Sequence, residues 1–210
     1  GTDAPDLRFG LEIRDVSDIV ADCDFRVFSG TVEAGNQVRG ICVPGGANLT
    51  RKVIDNWTEW IKQFGAGGLA WYKLREGQAE GGVSKFLSDG EVAAIAETFE
   101  AEDGALFMFV ADRRRVCDQA LSHLRKDVAR ELDLIPGGSH SLCWVVNAPA
   151  FEHDEETGRL TFLHHPFTMP FLEDVDRMES DPTSVRTHSY DIVMDGQEIG
   201  GGSIRINDYE

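Results

Sequence analysis

Tyr190-Asp191-Ile192-Val193-Met194-Asp195-Gly196-Gln197-Glu198-Ile199-Gly200-Gly201-Gly202-Ser203-Ile204-Arg205-Ile206 is the stretch whose reading decides the fold of this part of the chain. Two strand-like runs flank Asp195-Gly196, a dipeptide that tolerates the positive φ angles of a tight two-residue turn, so the stretch predicts an antiparallel hairpin. Three consecutive glycines are out of place in a strand that only has to pack, because glycine supplies no side chain and loses the most freedom on ordering. Charged groups lie close on either side. Burying Asp191, Glu198 and Arg205 without a purpose would be costly, which points to a built site rather than a core.

The spacing also makes a geometric demand. Glu198 and Arg205 are separated by an odd number of residues, so an unbroken strand would direct them to opposite faces. A bulge in Gly200–Gly202 would restore a common face, and bare backbone there would admit a flat ligand. Arg205 offers a planar fork suited to a carboxylate or phosphate. Glu198 and Asp191 are hard oxygen ligands of the kind that hold Mg²⁺ together with phosphates. Upstream, His164-His165-Pro166-Phe167-Thr168 offers His164 as a hydrogen-bond donor to an anionic substrate. Each feature also has a plainer reading. Glu198 and Arg205 can form an exposed pair worth well under about 1 kcal/mol, the histidines can line a turn, and the glycines can mark a sheet corner. Taken together, the spacing points to an anion and Mg-nucleotide site.

Working outward, the segments after Leu142 read as strands: 142–146, 160–163, 190–194 and 197–206. Before them Ile135-Pro136-Gly137-Gly138-Ser139 is a clear break. Upstream of the break, helices alternate with short strands. Val53, Ile54, Trp57, Trp60, Ile61 and Phe64 recur at helical spacing from Thr50 until Gly65. A strand is expected over 69–74. Ser88-Asp89-Gly90-Glu91 has capping-box spacing ahead of Val92, Ile95, Ala96 and Phe99. Residues 105–110 read as a buried strand. A long helix over about 114–132 carries Cys117, Ala120, Leu121, Leu124 and Val128 on one face. The expected fold class is therefore α+β: a module of helices on a small sheet, followed by part of an antiparallel sheet, with a boundary near residue 140.

The bulk composition excludes several functions. At 210 residues, 41% hydrophobic and 9% aromatic, the chain suits one large or two modest globular domains. No run of apolar residues is long enough for a membrane helix, and the polar N-terminus lacks a signal-peptide pattern, so a cytoplasmic protein is expected. Cys23, Cys42, Cys117 and Cys143 show neither a zinc nor a disulfide pattern and read as reduced packing residues. The net charge of −17 makes the chain a poor general binder of phosphate backbone. Residues 141–210 hold 14 acids against 4 bases. Arg113-Arg114-Arg115 reads as a solvated helix start rather than a phosphate clamp.

The HHPFT run at 164–168 followed by YDIVMDGQEIGGGSIRI at 190–206 resembles the catalytic core of bacterial-type aspartyl-tRNA synthetases, class II aminoacyl-tRNA synthetases. The resemblance extends further. Residues 5–8 (Pro-Asp-Leu-Arg) look like the segment leading out of that core. Residues 43–52 and 64–70 look like the family's bacterial insertion, an α+β module found also in a tRNA-dependent amidotransferase subunit. Residues 142–151 look like the strand that resumes the core. The resemblance implies a connector over 1–15, an insertion domain over 16–140 and a partial class II catalytic core over 141–210. It implies that His164 and Arg205 bind L-aspartate, with Arg205 reading the side-chain carboxylate, and that Glu198 binds ATP directly or through Mg²⁺. Asp191 assists with the metal, and Gly200, Gly201, Gly202 and Ser203 lie close to substrate and nucleotide. The implied reaction is attack of aspartate on the α-phosphate of ATP, then transfer of the aspartyl group to the tRNA 3′ end, by a homodimeric ligase. A second reading takes residues 16–140 as a non-catalytic tRNA-contact or structural module. Both ends of the chain read as cut from a longer protein. The anticodon-binding barrel, an FRxE-like motif and a GLDR-like motif are expected outside it, so these 210 residues alone are expected to show no aspartate-dependent pyrophosphate exchange. Robust exchange from this chain would refute that expectation.

Overall fold

The computed structural model describes residues 4–154 and 157–207 and is α+β, with every strand pair antiparallel. It resolves into two compact units. Phe9–Pro136 forms one; the segment ending at Arg8 and the chain from Gly137 onward form the other.

In the first unit the strands are β1 (Arg14–Asp15), β2 (Gln37–Val43), β3 (Ala70–Arg75), β4 (Gln78–Glu80) and β5 (Leu106–Asp112). They make one sheet in the order β1-β2-β5-β3-β4. The sheet thus begins at Arg14, two residues ahead of the expected start of the insertion domain. Its helices are α1 (Ser17–Val20), α2 (Arg26–Glu33), α3 (Arg51–Trp60), α4 (Asp89–Thr98) and α5 (Arg114–Glu131).

The central strand β5 explains the layering. Its residues alternate between two apolar faces, and each face needs a cover. Leu106, Met108 and Val110 face Ile54 and Trp57 of α3 and Leu121, Leu124 and Val128 of α5. Phe107 and Phe109 face Val20 of α1, Phe28 of α2 and Val92 and Ile95 of α4. Helices therefore cover both faces of this sheet, whereas the sequence suggested only helices on a small sheet. Two buried rings, Tyr72 and Phe107, stack at 4.8 Å in the second of these layers.

Local signals act as their chemistry predicts. Ser88 Oγ accepts the Glu91 N–H at 3.3 Å while the Glu91 carboxylate accepts the Ser88 N–H at 2.6 Å, closing the capping box of α4. α3 ends in a 3-10 turn over Ile61–Phe64 before Gly65. α5 starts at Arg114, and Arg113 and Arg114 are largely exposed, as the solvated-start reading expected. Polar links bind α5 to its surroundings. Trp57 Nε1 donates to Asp127 Oδ2 at 2.9 Å, and the buried Arg125 donates to the Leu11 carbonyl at 2.9 Å while lying 4.6 Å from the Phe9 ring centroid. Burial raises the Cys42 and Cys117 thiols to about 11, which keeps both protonated and inert.

In the second unit, β6 (Leu142–Val146), β9 (Ser189–Met194) and β10 (Gln197–Ser203) form a three-stranded sheet in the order β10-β9-β6. Among the described residues β7 (Phe151–His153) and β8 (Leu160–Phe162) form a two-stranded ribbon with each other, so the strand expected near 160 belongs to a separate ribbon. Leu121→Ala, at a fully buried position of α5, is expected to destabilise the protein by about 2–5 kcal/mol in urea unfolding. Ser88→Ala, which removes only the cap of α4, is expected to cost about 1 kcal/mol.

Candidate functional site

The hairpin of β9 and β10 turns at Asp195 and Gly196, whose φ angles of 52° and 79° are both positive, as a tight two-residue turn requires. Beyond the turn Glu198 pairs with Val193, but the next rung joins Gly200 to Ile192. Ile199 is therefore an extra, bulged residue. The break in alternation that the spacing demands is present, but it lies at Ile199 rather than within the glycine triplet. Directly opposed residues share a face, so Glu198, Gly201 and Ser203 fall on the face of Val193, Asp191 and Ser189. Two more alternating steps bring Arg205 to the same side.

The glycines stay regularly paired, and side chains from the neighbouring strand lie over two of them. A Cβ on Gly201 would collide with Asp191 Oδ1, and one on Gly202 would stand 2.8 Å from the Tyr190 hydroxyl. The Asp191 carboxylate thus lies over Gly201 and the Tyr190 ring over Gly202. The expected bare platform is already occupied at these two positions, while the space at Gly200 is limited only by Ile192 at 3.6 Å.

The HHPFT segment runs alongside the end of this strand. Ile206 donates its N–H to the Phe167 carbonyl at 2.9 Å, Met169 donates to Ile204 at 2.8 Å, and Thr168 bridges Arg205. Thr168 Oγ1 also reaches Ser203 Oγ at 3.4 Å. Two motifs distant in sequence are therefore joined by backbone hydrogen bonds. His164 and His165 are exposed, and with Thr168, Phe151, Phe162 and Ile206 they line a small cavity of about 40 Å³. No hydrogen bond links His164 to Arg205 or Glu198 among the described residues.

Among the described residues, Asp191, Glu198 and Arg205 enter no ion pair, so the plainer reading of an exposed Glu198–Arg205 pair does not hold. Two carboxylates on one face without a neutralising cation fit the chemistry of Mg²⁺ held by one or two carboxylates and substrate phosphates. Among the described residues no cluster of three metal-ligating side chains occurs, so a cation here would draw further ligands from substrate and water.

The segment that follows HHPFT is braced by an ionic cluster that the sequence reading missed. Asp174, 1% exposed, accepts Arg186 Nε at 2.7 Å and the Arg186 backbone N–H at 3.0 Å, and also pairs with Arg177. Arg186 in turn lies over the Phe171 ring at 4.9 Å and reaches Glu173 at 2.7 Å. The second missed residue is Asp195, read only as a turn former. Its carboxylate accepts the Ser141 N–H at 2.8 Å, lies 2.6 Å from His140 Nδ1 and stands 3.5 Å from Arg8 Nε. An Asp in a tight turn with basic groups elsewhere in the unit was the only available signal, and sequence spacing alone could not pair them.

Residues 28–121 match the GAD domain family. The whole chain is similar to curated aspartate–tRNA ligases. The aspartate–tRNA(Asp/Asn) ligase of Halothermothrix orenii is 49% identical over 207 residues, covering 99% of this chain and 35% of the relative. That of Natranaerobius thermophilus is 47% identical over 210 residues, with 100% and 36% covered. The aspartate–tRNA ligase of Clostridium perfringens is 46% identical over 209 residues, with 99% and 35% covered. The chain thus spans about a third of the length of these relatives.

The Asp174 cluster yields a pH signature. Hydrogen bonds from Arg186, and then the pairing with Arg177, hold the Asp174 carboxyl well below its ordinary value of 3.8, so its contribution is fully present above that value and is lost as pH falls below it. Asp174→Asn is expected to lower the melting temperature by a constant amount from neutral pH down to about pH 5, with the gap to wild type closing as the solution becomes more acidic. A gap that widens in acid would contradict the assignment.

Proposed function

We propose, for a chain that belongs with the bacterial-type aspartate–tRNA ligases, that residues 141–210 form part of the class II catalytic core, with 16–140 as its inserted α+β domain and 1–15 as the connector from the core. In this reading L-aspartate and ATP meet at the face carrying Asp191, Glu198 and Arg205, and the protein works as a homodimer on tRNA. The observation that carries the reading is the bulge at Ile199, which gathers two carboxylates and an arginine onto one side while all three, among the described residues, enter no ion pair. The similarity to ligases along the whole chain supports it.

The residues divide the work by charge. The Arg205 guanidinium presents two parallel N–H donors to the aspartate side-chain carboxylate. Asparagine would leave one of those donors facing an amide N–H₂, and an unmet donor in such a site disfavours the wrong substrate strongly. His164 donates to the substrate from the HHPFT segment. Glu198 accepts from ATP or, with Asp191, shares in holding Mg²⁺. The cation would supply neutralisation of phosphate charge. The protein's own part is positioning: the aspartate α-carboxylate is held against the α-phosphate, a P–O bond forms as pyrophosphate leaves, and the resulting aspartyl-adenylate gives its aspartyl group to the tRNA 3′ end. The GAD-family match over 28–121 favours a second, compatible role for the first unit, as a non-catalytic module that contacts tRNA or serves structure.

The test uses a ligase of the relatives' full length that carries this chain. Arg205→Leu is expected to reduce aspartate-dependent pyrophosphate exchange by about 10³-fold or more, because it removes the group that distinguishes the substrate. Glu198→Gln is expected to affect the ATP side of the same assay while leaving KM for aspartate near wild type. Unchanged exchange in Arg205→Leu would overturn the reading.

A further inference from the structure

We infer that Asp195 is a positioning residue, clamping the tip of the β9–β10 hairpin to both chain segments that flank the first unit and so fixing where Glu198 stands. The inference rests on the ligase reading for its consequence in activity, but its geometry stands independently.

Three observations converge. First, β10 is an edge strand, paired with β9 alone, and its pairing is broken at Ile199, next to Glu198. A bulged edge strand lacks support on its outer side, so its end must be held from elsewhere. Second, the tip lies close to Glu198: Glu198 pairs with Val193, two residues before Asp195. Third, the tip is where both flanking segments attach. From the segment ahead of the first unit, Arg8 is held by Asp6 through Nη2 at 2.6 Å and Nε at 3.0 Å and turns toward the Asp195 carboxylate at 3.5 Å. From the segment after it, His140 and the Ser141 N–H bind the two Asp195 oxygens at 2.6 and 2.8 Å, and the Asp195 N–H donates to the Ser141 carbonyl at 3.0 Å. The approach is close: a Cβ on Gly196 would stand 3.0 Å from that of Asp6.

These groups form a charge-alternating chain, Asp6–Arg8–Asp195–His140, in which the two carboxylate side chains are only 6% and 18% exposed. The His140 side chain is 64% exposed, so the shielding lies on the carboxylate side of the chain and on its bonds to Arg8 and the Ser141 N–H. The Asp195 carboxyl is held below the ordinary carboxylate value, chiefly by its hydrogen bond with His140 and then by that from Ser141, in keeping with a charged, fully bonded acceptor. A turn former needs none of this, because asparagine would serve a tight turn equally well.

The experiment uses that property in the full-length ligase. Asp195→Asn keeps a residue that accepts positive φ and an oxygen for the Ser141 N–H, and removes the charge and the oxygen that faces His140. The expected result is a fall in kcat for pyrophosphate exchange of about 10- to 100-fold per active site. KM for aspartate should stay unchanged, because Arg205 lies beyond the far end of β10, and amide hydrogen exchange should quicken across 197–203. Arg8→Gln, which cuts the same link from the other side, is expected to give the same split. The double variant should be little worse than the worse single one, since the two changes share one interaction. Arg8→Gln carries the test if Asp195→Asn does not fold. Normal kcat with normal amide exchange over 197–203 overturns the clamp. So does a general quickening across the unit accompanied by a higher KM for aspartate, which marks a merely structural role. A wild-type ligase without aspartate-dependent exchange would instead defeat the ligase reading, and the amide exchange alone would then decide the clamp.

Discussion

A β-strand turns successive side chains to opposite faces, and this strict alternation governs everything at the hairpin. Glu198 and Arg205 are of opposite parity, so they can serve one site only if the strand gains a residue between them. Ile199 is that residue. The cost of the gain is a weakened edge, since a bulge leaves one backbone unit outside the ladder. The rest of the unit compensates for it. The HHPFT segment is hydrogen-bonded to the strand beyond the glycines, and the Asp195 cluster holds the end before the bulge. The strand carrying the candidate residues is thus pinned on either side of its own defect.

The features legible in the sequence were those with a local cause. The turn at Asp195-Gly196, the capping box at Ser88, the apolar stripe of α5 and the buried β5 all follow from residue types at short spacing, and the structure has each of them. Even the need for a bulge was readable, because parity is arithmetic. Its location was not. That depends on how the strands pair, and Asp191 over Gly201 and Tyr190 over Gly202 are contacts between strands. The N-terminal elements from Arg14 to Val43 also left little trace. α1 is only four residues long, and β2 is interrupted by Gly40 in its centre, where a Cβ would strike the Phe109 ring. The ion clusters at Asp174 and Asp195 were invisible for the same reason: their partners lie far away in sequence, and an acidic chain offers many wrong pairings.

The first unit shows how a short antiparallel sheet supports a large core. β5 is hydrogen-bonded on both sides and apolar on both faces, so it is the element that fewest substitutions could leave intact. The aromatic layer on one face, Tyr72 with Phe107 and Phe109, fills volume that the short α1 and α2 could not cover with aliphatic side chains. On the other face the longer α5 closes the core and uses Arg125 to hold the chain at Gly10 and Leu11. On the other side of the Arg8–Phe9 step, Arg8 is held by Asp6 and Asp195 within the second unit. The chain is therefore fixed by an arginine on each side of its passage from one unit to the other, each within its own unit.

Charge gives the clearest reason to single out Arg205. Residues 141–210 contain 14 acids and only four arginines as bases, so an arginine there has carboxylates available in excess. Arg177 and Arg186 are committed to Asp174 and Glu173. Arg159 forms no side-chain ion pair among the described residues, and it lies in the loop of the β7–β8 ribbon. Among the described residues Arg205 also enters no ion pair, and it lies beside Thr168 and on the side of the strand that carries two carboxylates likewise without one. Glu198 and Arg205 stand at opposite ends of the strand, about 20 Å apart at the usual rise per residue, too far to neutralise one another even on a common face. In the proposed reading this leaves the Arg205 guanidinium for a carboxylate and the two carboxylates for a metal-bound phosphate, a division of charge that a ligand could satisfy.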